Sequence, residues 1–447
     1  MAPRRSERGL DWLNFFVADI QTGFGPFIAV YLAAQEWTEV QIGLALSVGT
    51  FAAMVSQVPA GALVDALPRK RVAAFAALVS LALSALLLAI WPATLPVLLA
   101  EILHGFASCV LAPAVAAISL GMVGRDGLGP RLGRNARYRA LGNGLAAGLM
   151  GAAGAWLSGA AVFWLTAALT LPAMAALAAM READRAPAEA APRPAEAGLD
   201  AAGLRSLLGS RGVLVFSGCC TLFALSNAAM LPLAGTQATA RSGAVANLVI
   251  AACIIVPQLV VALLSPWMGR LAERRGRRPV LLLGLGALPV RGLLLAAVDD
   301  PVGLVLVQAL DGIGATVFGV LVALLAADLT HGTNRFNTCM GLFGLASGIG
   351  ATLSTSLAGL LAAEFGAEVA FAALAGAGLA AIALAWFAMP ETAAFAADPG
   401  ADRPATGLTR RDQPMGGPAP RPVAAVARDT GAASTRPTAG QGTDRER

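Results

Sequence analysis

Three features of this sequence predict an all-α integral membrane protein with twelve transmembrane helices in two six-helix bundles around a central cavity. Apolar residues fall into blocks of roughly 20, the length that crosses a bilayer as a helix. Charge is scarce: 57% of the 447 residues are hydrophobic and 13% are charged, too few to cover a water-soluble chain of this size. The mean hydropathy of +0.69 agrees. Finally, the chain repeats its own pattern about two hundred residues on. A backbone in lipid must satisfy its own hydrogen bonds, so the blocks are read as helices; the alternation of a barrel is absent.

The blocks number about twelve. They run near 10–34, 39–66, 70–91, 95–123, 138–160, 162–180, 211–235, 243–269, 279–298, 301–326, 337–361 and 367–389. Arg4, Arg5 and Arg8 precede the first, as in a signal peptide, but Asp11, Asn14, Asp19 and Gln21 make it too polar for a cleaved segment. It is expected to stay as the first span. Trp12, Trp37, Trp91 and Trp386 fall near span ends, where indole rings favour the interface.

The connections are of two kinds. One set is basic: Arg69, Lys70 and Arg71; Arg125, Arg131, Arg134, Arg137 and Arg139; Arg185, Arg193 and Arg205; Arg274, Arg275, Arg277 and Arg278; and Arg335. The alternate set lacks Lys and Arg except for Arg241. By the positive-inside rule the basic set and both termini are cytoplasmic, in a multi-pass inner-membrane protein. The net charge of +5 therefore reports orientation and does not mark a nucleic-acid partner. Residues 181–210, rich in Ala, Pro, Glu and Arg, read as a cytoplasmic linker between halves at 1–180 and 211–389. The stretch 390–447 reads as a disordered, solvated tail.

Cys109, Cys219, Cys220, Cys253 and Cys339 lie in or beside apolar blocks, with no spacing for a metal or a disulfide framework. No phosphate-cradling Gly-Lys-Ser loop suggests ATP-driven chemistry, and no nucleophile elbow suggests an enzyme. No cofactor is expected. The expected partners are a small-molecule substrate and the lipid bilayer, without nucleic acid, and the chain is expected to act as a monomer.

The repeat is specific. Gly61-Ala62-Leu63-Val64-Asp65-Ala66-Leu67-Pro68-Arg69-Lys70-Arg71 has an echo in Gly269-Arg270-Leu271-Ala272-Glu273-Arg274-Arg275-Gly276-Arg277-Arg278. Each copy places a Gly at the end of an apolar run, an acid four residues on, and a basic cluster beyond. Further parallels follow in order. Glu101-x-x-His104-Gly105 matches Gln308-x-x-Asp311-Gly312, and Arg137-Tyr138 matches Arg335-Phe336. Gly144-x-x-x-Gly148 matches Gly344-x-x-x-Gly348. Such symmetry is expected of transporters whose site lies between the halves.

This loop resembles the signature between helices two and three of the major facilitator superfamily, with its echo between helices eight and nine. The resemblance covers about residues 10 to 390 and implies a secondary transporter working by alternating access. It also implies a cytoplasmic gating latch at Gly61, Asp65, Arg69, Gly269, Glu273, Arg277 and Arg278. Physically, an acid at such a helix end can sit against the positive end of a neighbouring helix or pair with a nearby Arg. The alternative is a basic loop that only sets topology. Pro68 departs from the usual Gly.

Ionisable residues inside spans are costly, which makes Asp19, Glu101, His104, Arg291 and Asp311 candidates for a proton-coupling or substrate site, with Asn227 beside them. Asp19 and Asp311 lie roughly 12–15 Å from their span starts, near mid-depth. Burial favours the neutral acid, as a carboxylate that loads and releases protons requires. Asp311 could instead pair structurally with Arg291, and Arg291 could meet either that acid or a substrate. In proton-coupled members span four often reads Arg, two residues, Gln, Gly; here Glu101 and His104 stand at those places. The drug-antiporter Gly-Pro pair of span five is missing from the run Gly142, Gly144, Gly148, Gly151 and Gly154, whose glycines are expected to serve close helix packing. The function expected is proton-coupled efflux of a small organic compound. The alternatives are proton-coupled uptake of a sugar, organic acid or other nutrient and, more remotely, a non-transporting membrane sensor.

Overall fold

The computed structural model describes residues 4–23, 26–180, 201–235, 246–298 and 300–392, and the regular structure among them is helical. Helices α1 (Arg4–Gly23) and α2 (Pro26–Ala34) share the first expected span. The first half continues with α3 (Glu39–Ala66), α4 (Lys70–Ile90), α5 (Thr94–Val123), α6 (Leu128–Trp156) and α7 (Gly159–Ala179). After α8 (Ala201–Gly209) comes α9 (Arg211–Asn227), extended by helical turns at 230–235. The second half is completed by α10 (Ala246–Arg275), α11 (Arg277–Ala297), α12 (Pro301–Leu329), α13 (Phe336–Phe365) and α14 (Ala367–Ala388).

Ten of these segments are long and apolar enough to cross a membrane. The two other expected spans correspond to α1 with α2 and to α6. Helix α6 starts at Leu128, well before the expected 138, so Arg131, Arg134, Arg137 and Arg139 are helical and not in a loop. The reason is a buried partner: Asp11 of α1 receives Arg131 at 2.5 Å, and also receives Arg134. Asn135 accepts from the same Arg131 and donates to Ser119 of α5 at 2.8 Å. That polar network holds the charged first turns of α6 against α1.

Local sequence sets the helix starts. Thr38 and Gln41 form a reciprocal capping box at α3. Ser158 caps α7 through Ala161, and Asp300 caps α12 through the Gly303 amide, with Pro301 in the first turn. Gly276 and Gly366, which begin α11 and α14, have φ of 91° and 89°, a region L side chains avoid.

Within the first half, α5 packs on α3 and α4, and α1 on α6 and α7; within the second, α9 packs on α13, α10 on α12, and α11 on α14. Two extensive pairings join the halves, α3 with α13 and α6 with α10, and smaller ones run between α6 and α12 and between α5 and α13. The second and eighth spans thus meet the eleventh and fifth, a pseudo-twofold exchange.

The joining contacts gather at the end of the bundle bearing the Arg-rich loops, here the basic end. There Ala116, Leu128 and Leu132 of the first half enter one apolar core with Leu207 of α8 and with Val317, Phe318, Leu321 and Leu325 of the second. Burying such side chains favours the closed arrangement only modestly in lipid, so backbone approach matters more. Cβ atoms at Gly61 and Gly341 of the α3–α13 seam would strike the carbonyls of Asn337 and Gln57. Those at Gly269 and Gly133 of the α6–α10 seam would strike the carbonyls of Gly129 and Ser265.

Chain order extends past the boundary drawn at 389. Glu391 accepts from the amides of Arg277 and Arg278, and Thr392, fully buried, donates to Asp328 at 3.0 Å. Residues 393–447, most of the expected tail, lie outside the described residues, as do 181–200 of the expected linker. The end of that linker is helical, as α8.

Candidate functional site

At the basic end, Asp65 closes the seam between α3 and α13. Its side chain is 4% exposed. Oδ1 accepts from the Asn337 amide at 3.0 Å and from Asn337 Nδ2 at 2.8 Å. Oδ2 accepts from the Thr338 amide at 2.7 Å and the Thr338 hydroxyl at 2.6 Å. The carboxylate therefore occupies the N-terminus of α13, where free amides and the helix dipole favour an anion. Gly61, one turn earlier on α3, provides the space for this approach.

The echo does the same with the partners exchanged. Glu273 Oε1 accepts from the Gly129 amide at 2.9 Å, in the first turn of α6, beside the Gly269–Gly129 contact. The expected acid-to-helix contact is thus present in both copies. The basic members behave differently. Arg277 pairs with Asp328 at 3.0 Å, and Arg278 donates to the Trp386 carbonyl and lies over its ring, so both tie α11 within the second half. Arg69 is exposed. Lys70 and Arg71, beside it, cap the carbonyl ends of α3 and α7 through Val64, Asp65, Leu67 and Leu177.

Toward mid-depth, three of the residues singled out in the sequence come together. Arg291 of α11, 1% exposed, donates to Asp311 of α12 at 2.8 Å, to Gln308 at 2.6 Å and to Asn227 of α9. Asp311, by contrast, keeps 20% of its side chain accessible. The alternative of an Arg291–Asp311 pair is therefore the arrangement present. Gln308, fully buried, joins it from one turn before Asp311.

Glu101 and His104 part company. Glu101 is 5% exposed and presses into the α3–α5 seam, where a Cβ at Gly49 would overlap its carboxylate. Its Oε1 has no hydrogen-bond partner among the described residues. His104, half-buried, sits one turn from Ser108 on the α5 face that continues to Ala112. Ser108 and Ala112 line a cavity of about 190 Å³ between the halves, with Gln57 of α3, Val322 of α12, and Met340 and Ser347 of α13. Asp19 belongs to α1, but its side chain lies outside the described residues.

The packing expected of the span-five glycines holds at the two ends of the run and not between them. Gly142 meets the Phe15 carbonyl of α1, and Gly154 touches Val162. Nothing lies within 4 Å of a Cβ at Gly144, Gly148 or Gly151. Among the described residues, the α6–α10 contacts at Gly129, Arg137 and Ala140 are not continued by Gly144, Gly148 or Gly151. The seam is shut at the basic end and open beyond.

The signature loop and its echo thus make mirrored acid-to-helix contacts, and the family model described as Major Facilitator Superfamily matches residues 11–256 and 214–428. The chain is a member of the Major Facilitator Superfamily. An uncharacterized MFS-type transporter of Mycobacterium tuberculosis, in strains CDC 1551 and H37Rv, is 36% identical over 404 residues, covering 87% of this chain and 94% of the relative. Among solved structures, the human organic anion transporter MFSD10 covers 86% of this chain and 100% of its own, with a TM-score of 0.65 and 16% identity. The proton:xylose symporter XylE, bound to 6-bromo-6-deoxy-D-glucose, covers 87% and 96%, with a TM-score of 0.68 and 13% identity. At those identities the likeness is one of fold.

Several polar contacts of this superfamily member escaped the sequence reading. The Asp11–Arg131–Asn135–Ser119 network and the acceptance of Glu391 by α11 involve residues that looked like loop or tail. Asn337 and Thr338, the donors to Asp65, looked like the ordinary start of a span. The spacing Arg131–Arg134, one helical turn, was the available signal for the first.

Proposed function

We propose that this chain is a proton-coupled secondary transporter of the inner membrane that exports a small organic compound by alternating access. In this reading the basic end faces the cytoplasm. The observation that best supports it is the Arg291–Asp311 pair. The acid keeps 20% of its side chain accessible while its partner is sealed. A proton arriving at Asp311 neutralises it and weakens one of the three contacts that hold Arg291. Because those contacts come from α9 and α12, the protonation state of Asp311 bears directly on how the second half packs. A buried charge with a partner removed is strongly destabilised, which gives the proton mechanical leverage. Asp19 is the second proton-exchanging group in this proposal. The gradient supplies the energy, and no cofactor takes part. Opening at the basic end requires release of Asp65 and Glu273 from the helix ends they occupy.

Uptake is the second reading. It draws support from the α6–α10 seam, which is shut at the basic end while Gly144, Gly148 and Gly151 beyond it meet no neighbour among the described residues.

A flux screen in everted vesicles with an imposed pH gradient tests the coupling, comparing wild type with Asp19→Asn and Asp311→Asn. The proposal expects proton-linked flux in wild type and its loss in Asp311→Asn. Proton-linked flux that survives both substitutions overturns it. Accumulation of substrate in right-side-out cells assigns uptake.

A further inference from the structure

Arg139 takes part in neither the ion-pair cluster nor the closing contacts. It lies eleven residues into α6, about 16 Å from that helix's basic end. Arg131, Arg134, Arg137, Arg277, Arg278 and Arg291 all have hydrogen-bond partners. The Arg139 guanidinium has none among the described residues. Its Nη2 reaches across to α12, where a Cβ at Gly319 would stand 3.2 Å away. Gly319 is one helical turn from Val322, which lines the inter-half cavity. On α6 itself, Leu128 and Leu132 behind it are in the apolar plug. Beyond Leu132 the charged residues of α6 are Arg134, Arg137 and Arg139, and the first two are engaged by Asp11 and the Ala262 carbonyl.

An unpaired cation at this depth is expensive unless water or a ligand compensates it. Ser108 gives a second, independent sign. It lines the same cavity, and its buried hydroxyl oxygen has no partner among the described residues. A planar guanidinium matches carboxylate, phosphate and sulfonate oxygens in a bidentate way, and a hydroxyl can donate to the same group.

We propose that the inter-half cavity binds an organic anion, with Arg139 holding its charged group and Ser108 donating to it. The absence of a side chain at Gly319 leaves room for that group on the α12 side. As a statement about transported substrate this rests on the transporter reading; as a statement about binding it does not.

The test uses the full-length chain with its five cysteines replaced and Ser347→Cys as a reporter in the cavity. Two methanethiosulfonates of similar size are compared, one carrying a sulfonate and one a trimethylammonium group. A single positive charge within several ångströms favours the anionic reagent by tenfold or more. The sulfonate-to-ammonium rate ratio is expected to fall about tenfold in Arg139→Gln and to persist in Arg139→Lys. An unchanged ratio in Arg139→Gln overturns the proposal, as does a reporter protein with Arg139 intact that shows no preference for the sulfonate, which a carboxylate already paired with Arg139 would produce. Should Arg139→Gln not fold, the reporter protein with Arg139 intact decides. Benzoate is expected to slow its labelling by neutral methyl methanethiosulfonate and benzamide is not; equal effects overturn the proposal. Anion protection without flux under any gradient fails the transport reading and leaves the site standing. Flux of a neutral compound at the wild-type rate in Arg139→Gln does the reverse.

Discussion

Asp65 and Thr338 are 273 residues apart in sequence, yet one carboxylate oxygen of Asp65 accepts both the amide and the hydroxyl of Thr338, at 2.7 and 2.6 Å. The contact joins the end of one half's second span to the start of the other half's eleventh. Its mirror, Glu273 on the Gly129 amide, is a single bond made by a half-buried acid. The two contacts share one design, but Asp65 accepts four hydrogen bonds and Glu273 one.

Asp65→Ala should release the basic end. Hydrogen bonds to a charged group contribute about 1.5–3 kcal/mol each and are not additive, so a loss of about 3 kcal/mol, roughly a hundredfold in the open-to-closed ratio, is expected. Glu273→Ala should shift it about tenfold. Labelling of a Met340→Cys reporter from the basic side measures both. Equal effects from the two alanines would contradict the asymmetry.

The glycines divide by state. Gly61→Leu cannot be accommodated against the Asn337 carbonyl and should prevent closure at the basic end. Gly148→Leu meets open space in the present arrangement, and should leave it intact while blocking closure of the opposite end. The same Met340→Cys reporter should become accessible in the first variant and stay protected in the second, with flux lost in both. Wild-type flux in Gly148→Leu would show that this seam never closes.

Removing one member of a buried ion pair is costlier than removing both. Arg291→Leu should lower stability by about 3–5 kcal/mol, with much of that recovered in the double variant with Asp311→Leu. Thermal unfolding in detergent gives the comparison. Additive losses would mean that the two side chains are not coupled as the 2.8 Å contact requires.

Glu391 accepts two amides at the start of α11, which acts as a helix cap supplied by the chain after α14. Glu391→Ala should cost about 1 kcal/mol and a few degrees of unfolding temperature. Because the contact lies within the second half, labelling of Met340→Cys should not change. A change there would connect this strap to gating.

Much of this was legible because the bilayer enforces it. Apolar block length located ten spans cleanly, and duplication placed Asp65 and Glu273 in corresponding roles. The site was readable where charge inside a span is rare, so Arg291, Asp311 and Asn227 were found and are brought together. The sequence reading failed where charge is common. The arginines before residue 138 looked like a loop, since nothing local shows that Asp11, 120 residues away from Arg131, buries their heads. For Glu101 the sequence offered a candidate without a direction: depth along a helix can be counted, but the way a side chain faces depends on the neighbour, here Gly49. The span-five glycines mark a limit of another kind. A sequence serves every conformation of its chain, and a structure displays one.

Rocking of the halves is most directly tested by spin-label distances on one helix pair. Ala66 and His331, both exposed, report the basic ends of α3 and the chain entering α13; Val40 and Phe365, also exposed, report the opposite ends of α3 and α13. On passing from wild type to Asp65→Ala, the account predicts that the Ala66–His331 distance lengthens while the Val40–Phe365 distance shortens. If both distances stay fixed, or both grow together, the halves do not exchange access and the account is wrong.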